Sequence, residues 1–563
     1  MSTSQLSLEI PTVFRQDIYA YGQRTSGETH GVVLTRPHIV ELILDLAGYT
    51  DDCDLGEKRL LDPSCGHGAF VIEAIARLLR SARKFSRDPS ALGRCIRALD
   101  IDQDHLATAR QAAIDLLCQN DVDEWEATAL ADQWFVAGDF LLAPAEPFDF
   151  VVGNPPYVRI EQISPELQAE YRQRFSTLYD RADLYVAFIE KSLRLLHPEG
   201  VLALICADRW ILNKYGSALR RLLTREFRLQ YYIDLHRSSP FESEVIAYPS
   251  IFVLRPGTTD RVRVASMQTA NPEECRQLLA TLRGSDEKST VSVSTYDSWF
   301  EGDEPWIIST PEHLRALREL ESRFEPLESH GTRIGIGVAT GNDSIFIVDR
   351  DADIEADRLV PLVRREDIAG GQIRDAGRCV INCFSATGQT VDLNAYPRLS
   401  TYLGIHGDAI RRRHVARKNP GNWFRTIDRV YPELVAQPKL LIPDIAGSNQ
   451  VTFDSGRFYP HHNLYFVTSQ RWDLEILGGL LSSRVALFFV WCYAVKMRGG
   501  YLRFQAQYLR RIRIPAPESL SRELSDSIRG AFRERDFQQL DTLALAAYRI
   551  DPLPEFPFTD TRR

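Results

Sequence analysis

Four consecutive residues, Asn154-Pro155-Pro156-Tyr157, concentrate more usable chemistry than any other stretch of the chain. Two prolines hold the backbone extended and remove two amide donors, so the Asn154 side chain and the Pro155 carbonyl can both face outward as acceptors. An amino group on a heteroaromatic ring is a poor nucleophile because its lone pair is delocalised into the ring. Two acceptors gripping its hydrogens draw the nitrogen toward tetrahedral geometry and localise that pair, while Tyr157 offers a flat face to a planar base. In isolation the same four residues also fit a proline-stiffened β-turn. Their place directly after the apolar run 148–153 favours the site.

A second constellation begins at Asp62-Pro63-Ser64-Cys65-Gly66-His67-Gly68, after an apolar strand and before a helix. Gly66 and Gly68 let the backbone turn sharply and approach a ligand where a Cβ would clash. The full dinucleotide fingerprint needs a third glycine where this chain has Val71, which weakens a pyrophosphate role. A second strand ends at Asp100-Ile101, where the carboxylate can accept hydrogen bonds from ribose hydroxyls. A third ends at Gly138-Asp139-Phe140, where a carboxylate can receive an adenine amino group and a ring can pack on its edge. Each of these acids alone also reads as a turn or helix cap. Together they describe a pocket for an adenosine that carries positive charge and no phosphate. S-adenosyl-L-methionine fits that description better than NAD.

The elements that must position these residues follow from periodicity. Short apolar runs at 59–62, 95–100, 134–137, 148–153, 201–207, 230–235 and 250–255 alternate with helical stretches that include 69–81, 105–117, 183–196 and 215–226. Such alternation predicts a largely parallel sheet covered by helices. The polar, acidic, Ser- and Thr-rich stretch 283–305 reads as a linker, and from about Trp306 the chain turns to short strands rich in Gly and Pro. A length of 563 residues suits about three to four domain-sized units or two large ones.

Charge is unevenly distributed. The chain carries −9 overall, yet residues 401–513 hold 17 Lys and Arg against seven Asp and Glu. Arg411-Arg412-Arg413, Arg417 and Lys418 form one cluster. Arg498, Arg503 and Arg510 belong to another, with aromatic residues interleaved. A basic stripe on an acidic protein is the footprint of a polyanion partner, or else a solvated face whose acids lie elsewhere in the fold. Nine scattered cysteines without a Cys-x-x-Cys pair suggest neither disulfides nor zinc. His461-His462 lacks a third ligand at suitable spacing, so no metal is expected. The longest apolar run, 485–495, is about half a membrane span, and the first residues lack signal-peptide character. A cytoplasmic protein with no membrane partner is expected.

In the order of its motifs the chain resembles the gamma-class, TaqI-like N6-adenine DNA methyltransferases of type II restriction-modification systems. The resemblance rests on the residues around Thr35 (Gly31 to Val40, with Arg36 inserted between Thr35 and Pro37), the glycine loop, Asp100, Gly138-Asp139-Phe140 and Asn154-Pro155-Pro156-Tyr157. It extends to Asp183-Leu184-Tyr185, to Phe241 ahead of 250–255, and more softly to 335–343 and 499–503. It implies an α/β chain: an N-terminal segment 1–28, a Rossmann-like catalytic domain 29–282 with a mostly parallel seven-stranded sheet, the linker 283–305, and a mixed α/β target-recognition domain 306–563. Asn154 through Tyr157 would be catalytic, and Tyr157 and Phe241 would clamp a flipped adenine. Thr35, Asp62, Ser64, Cys65, Gly66, Gly68, Asp100, Ile101, Asp139 and Phe140 would bind the cofactor. The eight basic residues named above would contact double-stranded DNA. A cognate endonuclease, if present, would be a separate chain, and the enzyme a monomer. Competing readings are a methyltransferase acting on protein glutamine or RNA, since those also use Asn-Pro-Pro-Tyr, and a catalytically inactive DNA-binding relative.

Overall fold

The structure, a computed structural model, describes residues 33–243, 248–258, 261–284, 291–297, 299–300, 302–446, 450–494 and 502–556. The chain forms two compact units, Met1–Ile307 and Ile308–Arg563.

The first unit is built on nine strands: β1 (Leu60–Asp62), β2 (Ile96–Asp100), β3 (Phe135–Ala137), β4 (Phe148–Gly153), β5 (Leu196–Ala207), β6 (Phe227–Asp234), β7 (Pro249–Pro256), β8 (Val262–Ser266) and β9 (Val293–Tyr296). Their order is β3-β2-β1-β4-β5-β7-β6-β8-β9. Strands β1 to β5 are parallel; β7 runs antiparallel to both β5 and β6. Residues 201–207 and 249–254 are buried without interruption, as strands covered on both faces must be.

Eight helices matter for the site: α1 (Pro37–Ala47), α2 (Ala69–Lys84), α3 (Gln103–Gln119), α4 (Glu124–Trp134), α5 (Pro165–Arg174), α6 (Tyr185–Arg194), α7 (Ser217–Glu226) and α8 (Pro272–Arg283). Their starts are encoded locally. Asp102 accepts from the Asp104 and His105 amides to cap α3, and Ser164 caps α5 ahead of Pro165. In α2, Phe70, Val71, Ala74, Ile75, Leu78 and Leu79 repeat at helical spacing and face the core.

Chain order reverses at β1, which lies between β2 and β4. In an open α/β sheet the crevice beyond the carboxyl ends of the strands at such a reversal is where ligands bind. The two most informative motifs therefore emerge side by side, one from β1 and one from β4.

Two expectations need correction. The sheet has nine strands among the described residues rather than seven, because β8 pairs with β6 and β9 with β8. Residues 283–305 are also not a free linker. Arg283 ends α8, and Val293–Tyr296 add an edge strand against β8. Trp299, Phe300 and Trp306 close over the unit, with Phe300 stacked on Trp306 at 3.7 Å and Trp210 5.0 Å from Trp306. The polar composition masked three aromatics with a common destination. The expected N-terminal segment 1–28 lies outside the described residues.

In the second unit, strands Thr332–Ile336, Leu464–Ser469, Lys439–Pro443 and Thr452–Asp454 form an antiparallel sheet. Lys439 is fully buried and its ammonium is taken up by Asp454 at 2.8 Å and by the Val435 and Gln437 carbonyls. Among the described residues no single helix is long and apolar enough to cross a membrane; Leu474–Leu481 and Arg484–Tyr493 reach that length only as a pair bent by 58°.

Trp306 is fully buried against other aromatics. Trp306→Ala should therefore destabilise the first unit by about 3–5 kcal/mol, read as a shifted denaturant transition by far-UV circular dichroism. Were Trp306 part of the second unit, as the expected boundary at 306 had it, the transition of the first unit would not move.

Candidate active site

The loop after β1 is shaped by what surrounds it. Gly66 and Gly68 have φ of +52° and +96°, which side chains other than glycine rarely adopt. The Gly66 amide donates to Asp100 Oδ2 at 2.8 Å, and the Asp102 amide donates to Asp100 Oδ1 at 2.9 Å. Asp100 thus ties the glycine loop to the end of β2, and burial raises its pKa. Ile101 beside it is exposed.

Asp62 is buried at the floor of the crevice. Its Oδ1 accepts from the Ser64 amide at 3.3 Å, while Oδ2 is buried without a partner. Desolvation pushes its carboxyl up to about 8, with the negative Asp100 adding to the rise. Gly153, at the end of β4, is required here, since a Cβ would stand 2.9 Å from Asp62 Oδ1. Cys65 is buried, and burial pushes its thiol pKa up, so it is no nucleophile.

Asn154 follows immediately. Its Nδ2 donates to the Val33 carbonyl at 3.0 Å and to Thr35 Oγ1 at 3.4 Å, and its backbone carbonyl accepts from Ser64 Oγ at 3.2 Å. With the nitrogen committed, Oδ1 is left buried with no donor. Pro155 is buried and Pro156 half-buried. The chain beyond is anchored where Leu184 donates its amide to the Val158 carbonyl and Arg159 bridges to Asp183.

The aromatic wall comes from two distant segments. The Tyr157 and Phe241 rings stand edge to face, with centroids 6.3 Å apart and planes at 85°. Phe241 is brought there by an antiparallel bridge to Thr35. Arg36, inserted in the first motif, explains itself: Nε donates to the Ser239 and Phe241 carbonyls, each at 2.9 Å, and its amide to the Pro240 carbonyl. Sequence reasoning had assigned Arg36 no task. The Gly31 and Val32 portion of that motif lies outside the described residues.

At the end of β3, Asp139 is buried and accepts from Tyr171 Oη at 2.5 Å and the Leu141 amide at 2.8 Å. Phe140 departs from expectation. It is 3% exposed and packs on Phe188 at 5.2 Å, so its ring serves the core more than a ligand's edge.

The crevice fits S-adenosyl-L-methionine. Two orphaned buried polar atoms, a glycine cradle and three acidic side chains (Asp62, Asp100, Asp139) line it with hydrogen-bonding oxygens and no basic group. A sulfonium with an ammonium tail and an adenosine suits it, whereas a phosphate would meet no basic group there.

The basic residues expected to meet DNA divide in the second unit. Arg411, Arg412, Arg417 and Lys418 are exposed, with Arg411 lying 3.9 Å over the Trp423 ring. Arg413 is spoken for: it donates to the Thr340, Trp423, Arg425 and Ile410 carbonyls and stacks on Phe346. It braces the fold and is corrected from the DNA-binding set. Arg503 pairs with Asp444 and Arg510 with Glu328; Arg498 lies outside the described residues. The structure supplies His461-His462 with the third donor the sequence lacked, Asp343, all within 4.8 Å, and His461 Nε2 is closed onto Asp343 Oδ2 by a 2.9 Å hydrogen bond.

Residues 84–241 match the family described as the Eco57I restriction-modification methylase. The chain is 44% identical over 539 residues to the type II methyltransferase M.BstVI of Geobacillus stearothermophilus, covering 92% of this chain and 96% of that one. It is 46% identical over 537 residues to the type II methyltransferase M.PaeR7I of Pseudomonas aeruginosa, covering 93% and 92%. Among solved structures, the type IIL restriction-modification enzyme MmeI in complex with DNA superposes with a TM-score of 0.60 at 12% identity, over 92% of this chain and 74% of that one. At that identity the likeness concerns the fold.

Because Asp62 holds its proton up to about pH 8 in the fold, while an unfolded aspartate ionises near pH 4, stability is lost as pH rises between those values and the penalty is constant above them. Asp62→Asn should abolish that loss. Denaturant titrations at a series of pH values should show the variant gaining on the wild type from about pH 4 to about pH 8, and parallel profiles would contradict the assignment.

Proposed function

The chain belongs to the type II restriction-modification methyltransferases, and we propose that the group it methylates is the exocyclic amino group of an adenine turned out of duplex DNA. DNA methylation with S-adenosyl-L-methionine as methyl donor follows from membership; the base and its extrusion are the proposal. One observation carries it. Asn154 Oδ1 is a buried acceptor without a partner, held in one orientation because Nδ2 is bound to Val33 and Thr35.

An unpaired buried acceptor costs about 1–3 kcal/mol, which is recovered when a donor arrives. The amino hydrogens of a base are such donors. Oδ1 takes one and the Pro155 carbonyl takes the other, so the nitrogen lone pair is turned away from the ring. Tyr157 offers the face on which the ring lies, with Phe241, 4% exposed in the core, packed edge to face against it rather than on the base. When bound, the cofactor would supply an electrophilic methyl on sulfur, and Asp62, Gly66 and Asp100 would hold it. The transfer is a direct displacement that needs no covalent enzyme intermediate, and alignment of the two partners contributes about 7–11 kcal/mol. Extruding the base costs a few kcal/mol, offset by phosphate contacts from the exposed Arg411, Arg412, Arg417 and Lys418. We place target recognition in the second unit, read the enzyme as a monomer, and assign any cognate endonuclease to a separate chain.

Duplex DNA treated with the protein and labelled cofactor, then digested to nucleosides, should yield N6-methyladenine; label in a cytosine product, or transfer only to protein or RNA, would overturn the reading. Asn154→Ala should slow transfer by about 10²–10³-fold while cofactor affinity stays near that of the wild type. Replacing Arg411, Arg412, Arg417 and Lys418 together by alanine should weaken binding at every sequence and flatten the dependence of log affinity on log salt by about three to four units. Arg413→Ala should instead show as lost stability of the second unit.

A further inference from the structure

Lys191 takes no part in the chemistry described so far, yet it is among the least expected charges in the first unit. It lies on α6, is 8% exposed, and has no carboxylate bonded to it among the described residues. Its ammonium donates instead to three backbone carbonyls of one turn: Phe140 at 2.6 Å, Leu141 at 3.4 Å and Ala143 at 2.5 Å. The Phe140 ring lies 5.0 Å away. Sinking a lone ammonium into the interior is expensive, and an apolar side chain would fill the space at lower cost.

The clamped turn begins at Asp139. That residue's carbonyl accepts from the Leu142 and Ala143 amides, and its carboxylate accepts from the Leu141 amide and Tyr171 Oη. The turn is thus closed from within by Asp139 and from behind by Lys191. The helix carrying Lys191 is itself fixed, because the neighbouring Glu190 accepts from the Thr177 amide and hydroxyl. Three carbonyls drawn to one cation cannot swing independently, and the carboxylate at the head of the turn is aimed accordingly.

We propose that Lys191 is a positioning residue for the adenosine end of the cofactor, holding the 139–143 turn so that the Asp139 carboxylate meets the adenine amino group. The inference rests on the reading of Asp139 as the adenine contact. Three charged or titratable groups act on Lys191 or on the turn it holds: Asp139, which favours the ammonium; Arg174 on α5, which opposes it; and Tyr171, bonded to Asp139. Burial dominates and lowers the Lys191 pKa to about 8. Above that pH the clamp loses its charge, so affinity for adenosine should fall as pH rises. An arginine at the same position stays charged throughout.

The test uses 5′-methylthioadenosine, which carries the adenosine end without an ionisable amino-acid tail, and follows its dissociation constant by calorimetry with the full chain. For the wild type the constant should rise about tenfold from about pH 7 to about pH 9, and for Lys191→Arg it should stay within about twofold. Lys191→Met should weaken binding about tenfold near neutral pH, with kcat at saturating S-adenosyl-L-methionine changed less than about threefold. A Lys191→Met protein that binds like the wild type, or a pH dependence equal in wild type and Lys191→Arg, overturns the inference. Asp139→Asn separates the two levels. If it binds methylthioadenosine as tightly as the wild type, the Asp139 reading has failed; if it binds weakly while the Lys191 variants do not, only the role of Lys191 has.

Discussion

The crevice is organised around the orientation of a single carboxamide, that of Asn154. Asn154 leaves its oxygen buried without a donor because its nitrogen is taken by the Val33 carbonyl and the Thr35 hydroxyl. Those acceptors lie about 120 positions earlier in the chain, and Thr35 is kept in place by its bridge to Phe241, more than 200 positions later. The same short stretch of backbone therefore sets both the polar grip and the aromatic wall. Gly153 must lack a side chain for Asp62 to fit beneath, and Ser64 Oγ ties the β1 loop to the Asn154 carbonyl. An unpaired buried acceptor survives in a marginally stable protein only where the surroundings over-determine it. Two of them, Asp62 Oδ2 on the last residue of β1 and Asn154 Oδ1 on the first residue after β4, lie on adjacent strands at the reversal of the sheet.

Electrostatics divides the labour along the chain. The crevice of the first unit is lined by the buried acids Asp62, Asp100 and Asp139, which offer acceptors to a cationic ligand and none of the basic donors a phosphate needs. The exposed cations sit in the second unit, whose surplus of Lys and Arg contrasts with the acidic remainder. On the reading proposed above, a polyanionic substrate and a cationic cofactor would be served by separate regions of the chain. The division also sharpens which basic residues matter: an arginine whose guanidinium already meets four carbonyls, as in Arg413, has little left for phosphate.

Much of this was legible in the amino acids themselves. The strand at 148–153 is legible to the residue and most of the other named strands and helices to within about three positions, because apolar periodicity and terminal Asp, Gly and Pro punctuate them; β5 begins five positions before the expected 201, at Leu196. Asn154 and the glycine loop were legible because few other contexts need those residue types in that order. Residues 293–296 look like part of a bridge because they are polar, and their place at the sheet edge is set by pairing with β8, a partner about 30 positions earlier. Arg36 and Phe140 show a different limit. Whether an arginine holds backbone carbonyls, or a phenylalanine turns inward, depends on partners hundreds of residues away or on a neighbouring helix. The basic cluster was visible as charge, but which of its members were committed internally was not.

One consequence of the Asn154-Pro155 peptide concerns chemical ageing. Asparagine commonly deamidates when the nitrogen of the next residue attacks its side-chain carbonyl to close a succinimide, and a prolyl nitrogen carries no hydrogen to lose in that ring closure. The carboxamide on which the site depends is thus shielded, by the residue that stiffens its backbone, from slow conversion to an aspartate.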